Sequence, residues 1–166
     1  MERKIDKFLE HWQIDVNRKP LVIYGTKQVG KTYTVLKFGE NNYRSVVYID
    51  ANNNKVLDEA LKKQNTIDGI IAQLSNVSKE EIVKDDTLVV LDNVNDPNIV
   101  NTIKTLGRFK NDYHVILITS LKENRRNKWI SNFKGIYRKK HTNCSIIVAY
   151  RFNGNWTASS IFYSVF

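Results

Sequence analysis

The chain has 166 residues, 42 % of them hydrophobic and 26 % charged, with a formal net charge of +9 and a pI near 9.6. That length and mixture suit one globular domain with a real core, and they exclude a disordered or fibrous chain. No apolar run approaches the roughly 18–20 residues that cross a membrane, residues 1–6 carry no secretory leader, and the single Cys144 cannot form an internal disulfide, so a cytoplasmic protein is expected.

Residues 2–13 are predicted as an amphipathic helix, because Ile5, Phe8, Leu9 and Trp12 fall at i, i+3, i+4 and i+7. Asn17-Arg18-Lys19-Pro20 breaks it and delivers the chain into a strand over 21–24. Residues 1–20 therefore read as a helical lead-in. The next eight residues, Gly25-Thr26-Lys27-Gln28-Val29-Gly30-Lys31-Thr32, form a complete G-x-x-x-x-G-K-[ST] phosphate-binding loop. A buried strand before it and a helix after it are the setting such a loop requires. Gly25 and Gly30 allow a tight turn and close backbone approach to phosphate oxygens. The N–H groups of the loop and of the helix N-terminus face the anion. Lys31 brings a point charge to the β- and γ-phosphates, and the Thr32 hydroxyl is a hard oxygen ligand for Mg2+.

The helix after the loop is expected to end near Gly39 as its C-cap. A β-branched strand follows over 45–50, then helical stretches near 55–63 and 66–75, the second marked by Ile67, Ile70, Ile71 and Leu74. Residues 86–92 are predicted as a strand ended by Asp92, and Leu88 to Leu91 within it is continuously apolar, as a central parallel strand buried on both faces should be. Pro97 opens a helix over about 97–107, and Asp96 before it is either a substitute for the carboxylate missing at 93 or, more simply, the helix cap. Strands are predicted at 114–119 and 145–150. Alternating strands and helices imply an α/β fold: three αβα layers around a mainly parallel five-stranded sheet, with residues 21–151 as the core. Residues 152–166 are left as an atypical tail.

A phosphate loop needs an acid that ends a hydrophobic strand and holds Mg2+, and Asp92 supplies it at the edge where ligands bind in open α/β sheets. ATPases of the additional-strand class usually carry a Glu after that Asp to polarise the attacking water. Here the residue is Asn93, whose amide orients water but accepts no proton. The fourth strand is expected between the two motif strands, so Thr119 or Ser120 at its tip can reach the γ-phosphate or else cap a helix over 121–130. Lys122 to His141 holds eight Lys and Arg residues against Glu123, interleaved with Trp129, Phe133 and Tyr137. Such a stretch is either a nucleic-acid contact or a solvated face.

The run Val22-Ile23-Tyr24-Gly25-Thr26-Lys27-Gln28-Val29-Gly30-Lys31-Thr32-Tyr33 resembles the start of the prokaryotic AAA-type ATPases that read RQVGKT at this loop. The resemblance extends over residues 38–50, 87–92 and 113–121, covering roughly 1–122. It implies ATP bound by Gly25 to Thr32, Mg2+ held by Thr32 and Asp92, and Ser120 at the sensor position. An arginine from a neighbouring subunit, with Arg108, Arg125 and Arg126 as the choices, and a protein partner or homo-oligomer would fit the same resemblance. Two positions depart from it: Lys27 replaces the usual Arg and keeps its charge, whereas Asn93 replaces the Glu and makes hydrolysis slow. Relatives of this kind run for some hundreds of residues and often carry a C-terminal domain of unknown function, so a short or truncated copy is expected. The expected function is Mg-dependent ATP binding with weak hydrolysis; the alternatives are a nucleotide-gated protein-binding switch and a nucleic-acid-associated ATPase.

Overall fold

The computed structural model describes residues 4–25, 28, 30–52, 54–62, 64, 66–104, 106, 112–120, 145–152 and 155–159. Their elements, in chain order, are α1 (Lys4–Ile14), β1 (Leu21–Gly25), α2 (Lys31–Asn42), β2 (Ser45–Asp50), α3 (Lys55–Lys62), α4 (Ile67–Ser78), β3 (Thr87–Asp92), α5 (Pro97–Lys104), β4 (His114–Ser120), β5 (Ser145–Phe152) and β6 (Asn155–Ser159). The strands form one sheet in the order β2-β3-β4-β1-β5-β6. The first five are parallel, and β6 pairs antiparallel with β5. β4 lies between β1 and β3, as an additional-strand fold demands.

Side-chain alternation decides the layers. Val89 and Leu91 of β3 pack with Leu57, Ile70, Leu74, Ile103 and Leu117 on the α3–α5 face. Leu88 and Val90 pack with Leu9, Trp12, Val35, Phe38 and Ile116 on the α1–α2 face. Every residue of β3 is buried, which explains its unbroken apolar run. At roughly 1.5–3 kcal/mol for each large apolar side chain, these two clusters supply the main drive to fold.

Three expectations need correction. Among the described residues the sheet has six strands, not five, because residues 155–159 of the expected tail form β6. Phe152 and Asn155 are paired, and the two residues between them in sequence are Asn153-Gly154, the pair favoured in two-residue hairpins. Second, α2 does not stop at Gly39. It continues to Asn42, and Tyr43 then turns extended, its N–H donating to Gly39 O at 2.9 Å. Gly39 instead marks a close approach of helix to sheet: a Cβ there would stand 2.7 Å from Val46 Cγ2 and 2.9 Å from Leu88 Cδ2. Third, α4 runs on to Ser78, where Lys79 takes a left-handed cap at φ 61°.

The Gly39 contact yields a test with competing terms. Alanine gains up to about 1 kcal/mol in helix propensity. Leu88 is fully buried, however, and overpacking of this kind costs about 1–3 kcal/mol. Gly39→Ala is therefore expected to lower the unfolding free energy by about 1–2 kcal/mol in chemical denaturation. An increase in stability would show that α2 can move away from the sheet.

At the amino edge of the strands, far from the loop, Arg18 binds Asp85 at 2.7 Å, Asp85 meets His114 Nε2 at 3.2 Å, and His114 Nδ1 meets the Tyr43 hydroxyl. The chain of contacts ties α1, α2 and β4 together. Burial holds the His114 pKa below its ordinary value, assisted by the Arg18 charge. Among the described residues no helix is long and apolar enough to cross a membrane.

Candidate functional site

The site assembles at the carboxyl edge of β1, β2 and β3, on the α2 side of the sheet. Gly25 ends β1, and Gly30 precedes α2 with φ 78° and ψ 19°, a left-handed conformation that suits glycine. Gln28 is also left-handed at φ 60°. No side chain caps α2 at Gly30, and no acidic residue sits in its first turn. A helix start without a side-chain acceptor or a carboxylate leaves its dipole available to an anion.

Lys31 is 5 % exposed, and its Nζ donates to Gly25 O at 3.1 Å across the loop. Burial lowers its pKa to about 8, opposed by the nearby charge of Asp92. The adjacent Thr32 turns toward β3, where its Oγ1 donates to Asp92 Oδ2 at 2.7 Å. The two expected metal ligands, 60 residues apart in sequence, are therefore hydrogen-bonded. Asp92 is 5 % exposed and accepts two further bonds: Tyr48 OH reaches Oδ2 at 3.1 Å, and Asn93 N reaches Oδ1 at 2.7 Å. Among the described residues no group of three His, Cys, Asp or Glu side chains gathers to hold a metal. One hydroxyl and one carboxylate are still the donor set for Mg2+, which binds few protein oxygens and keeps its waters. The residues present fit that ion.

Tyr48 and Asp50 are members of this cluster that the sequence reading did not single out. Burial and the Asp92 carboxylate push the Tyr48 phenol up to about 12, so it remains a donor to Asp92. Asn93 is left-handed at φ 55°, and its Nδ2 donates to Asp50 Oδ1 at 3.1 Å. The signal available in the sequence was the period-2 pattern of Tyr48 and Asp50 at the end of β2. It acquires meaning only from the register, which sets Tyr48 beside Val90 and Asp50 beside Asp92.

The remaining predicted positions divide. Ser120 ends β4 with its backbone in register with Gly25, at the mouth of the loop. Thr119 is buried, shares the alternation of Val115 and Leu117 toward the α3–α5 face, and its Oγ1 has no partner among the described residues. Asp96 accepts from Asn98 N at 2.8 Å, the capping role expected of it. Thr26, Lys27, Val29, Arg108, Arg125, Arg126, Cys144, the 121–130 helix and the Lys122–His141 stretch lie outside the described residues.

A parallel sheet with β4 between the loop strand and the acid strand, and a loop Lys and Thr facing that acid, define a P-loop nucleoside triphosphatase of the additional-strand class. The sequence signature of the AAA domain matches residues 17–145, and the chain belongs to that family. No curated protein matches it. Among solved structures it is similar to C. elegans PCH-2, with 13 % identity and a TM-score of 0.42, over 77 % of this chain and 39 % of that one. It is similar also to Rhizobiales Trip13, with 15 % identity and a TM-score of 0.40, over 86 % of this chain and 49 % of that one. The chain thus corresponds to about two fifths and one half of those two proteins.

Proposed function

We propose that this chain binds Mg-ATP in the loop Gly25 to Thr32 and hydrolyses it slowly. The observation that carries the reading is the 2.7 Å bond from Thr32 to Asp92, which joins the end of the phosphate loop to the strand-end acid. Lys31 and the α2 N-terminus bind and orient the phosphates, while Thr32 and Asp92 hold the metal. When bound, Mg2+ neutralises charge on the β- and γ-phosphates. Asn93 stands where a carboxylate would polarise water, and the absence of that group slows turnover.

The test is calorimetry of Mg-ATP and Mg-GTP binding with phosphate release measured on the same samples. Tighter binding of ATP with slow release supports the reading. Binding without release favours a nucleotide-gated switch, and absence of binding removes the site. Release stimulated by DNA and lost as salt rises would favour the nucleic-acid-associated alternative.

Lys31 predicts the pH dependence. In the free protein it titrates at about 8. Bound phosphate favours its charged form, so the bound pKa lies higher and binding takes up a proton. ATP affinity is expected to be level below pH 8 and to fall by up to about tenfold per pH unit above it. Calorimetry in buffers of different ionisation enthalpy reads the proton uptake directly. A flat profile from pH 7 to 10 would contradict it.

A further inference from the structure

The residue after Asp92 is an amide, and the structure shows which carboxylate stands beside it. Asp50 ends β2 and is the register partner of Asp92 on the neighbouring strand. In-register neighbours in a parallel sheet share a face, with strands about 4.8 Å apart. Tyr48, two residues earlier, shows that this face of β2 reaches the site, because its hydroxyl binds Asp92. Asp50 Oδ1 accepts from Asn93 Nδ2 at 3.1 Å and from Asn52 N at 2.9 Å, which fixes the carboxylate. Its Oδ2 accepts no hydrogen bond from a described residue, and the side chain is exposed to water.

We propose that Asp50 is the catalytic carboxylate of the site, supplied by β2 in place of the missing Glu after Asp92. The inference rests on the reading of the loop as a Mg-ATP hydrolysing site. The left-handed backbone of Asn93 lets its amide anchor Asp50 rather than face the phosphates alone. Asp50 Oδ2 accepts a hydrogen bond from the attacking water and takes its proton. The water oxygen forms a bond to the γ-phosphorus as the bond from that phosphorus to the β–γ bridging oxygen breaks, and ADP leaves with the electron pair. The proton then passes to solvent, and inorganic phosphate is released. No further reactant is needed.

Three proteins test it: wild type, Asp50→Asn, and Asp50→Asn combined with Asn93→Glu. Asparagine at 50 keeps an oxygen acceptor for Asn93 and Asn52 but takes no proton. Asp50→Asn is expected to lower kcat for phosphate release by about 10²-fold, with Mg-ATP affinity within about threefold of wild type. Glu at 93 in that background no longer faces the Asp50 carboxylate across the Asn93 contact, and it should recover at least about tenfold of the loss. A merely structural role for Asp50 would not be rescued from position 93. Unchanged kcat in Asp50→Asn, or a loss that Asn93→Glu leaves in place, overturns the proposal while the Mg-ATP site stands. A wild type that binds Mg-ATP without releasing phosphate overturns both the hydrolytic reading and the role of Asp50. Absence of binding overturns the nucleotide site itself.

Discussion

Lys31→Ala is expected to weaken Mg-ATP binding by about 10²-fold or more while leaving the free protein as stable as before, or more so. The affinity loss follows from the place of Lys31. Its ammonium is buried at the root of the loop, 3.1 Å from Gly25 O, where a phosphate would meet it with little water between. Charge-assisted hydrogen bonds of this kind contribute about 1.5–3 kcal/mol each, and an ammonium can make more than one to a triphosphate. Stability moves the other way. The folded pKa of about 8 lies below the ordinary value of 10.5, so folding disfavours the proton. Below pH 8 the charged lysine opposes folding by a few kcal/mol, on the order of 3. Between pH 8 and 10.5 that opposition fades and stability rises with pH. Alanine removes the penalty at pH 7, offset by the lost bond to Gly25 and the lost packing of the lysine stem. Thermal unfolding and calorimetry together separate the cases. A variant that binds poorly but melts lower has lost its loop rather than its charge, and the electrostatic account would then be wrong.

The parts of this architecture that follow from local chemistry are legible in the sequence. The eight-residue loop, the apolar run of 88–91 and the helical spacing of Ile67, Ile70, Ile71 and Leu74 each report one element through one local pattern. The parts that were not readable depend on two distant segments meeting. Tyr48 binds Asp92 only because β2 lies beside β3 in one particular register, and a slip of one residue would turn Tyr48 to the opposite face. The Asp50–Asn93 contact has the same origin. Gly39 departs from expectation for a related reason: glycine near a helix end signals a cap locally, but here it marks the approach of Val46 and Leu88 from the sheet. β6 differs, since Asn153-Gly154 between Phe152 and Trp156 is a local hairpin signal that the apolar character of the tail obscured.

Asp92→Asn should uncouple nucleotide binding from Mg2+. The carboxylate accepts three hydrogen bonds at 2.7, 3.1 and 2.7 Å from Thr32, Tyr48 and Asn93 N, and it is 5 % exposed. Alanine would strand those donors at about 1–3 kcal/mol for each one left buried, and the result would mix unfolding with lost chemistry. Asparagine keeps the shape. Its oxygen can serve Asn93 N, and the hydroxyls of Thr32 and Tyr48 can rotate to accept from its amide. The charge is what disappears, and three consequences with different signs follow. Mg2+ loses its only carboxylate ligand in the proposed set, so phosphate release should fall by about 10²–10³-fold. ATP without Mg2+ should bind as well or better, because a negative charge beside the phosphates is gone. The Lys31 pKa should drop below about 8, since Asp92 now props it up, and the fall in ATP affinity with pH should begin at a lower pH. Titrations with and without Mg2+ across pH 6–9 read all three. Retained Mg2+-dependent release would remove Asp92 from the metal site. Unchanged Lys31 behaviour would mean that the two charges do not feel each other across the loop.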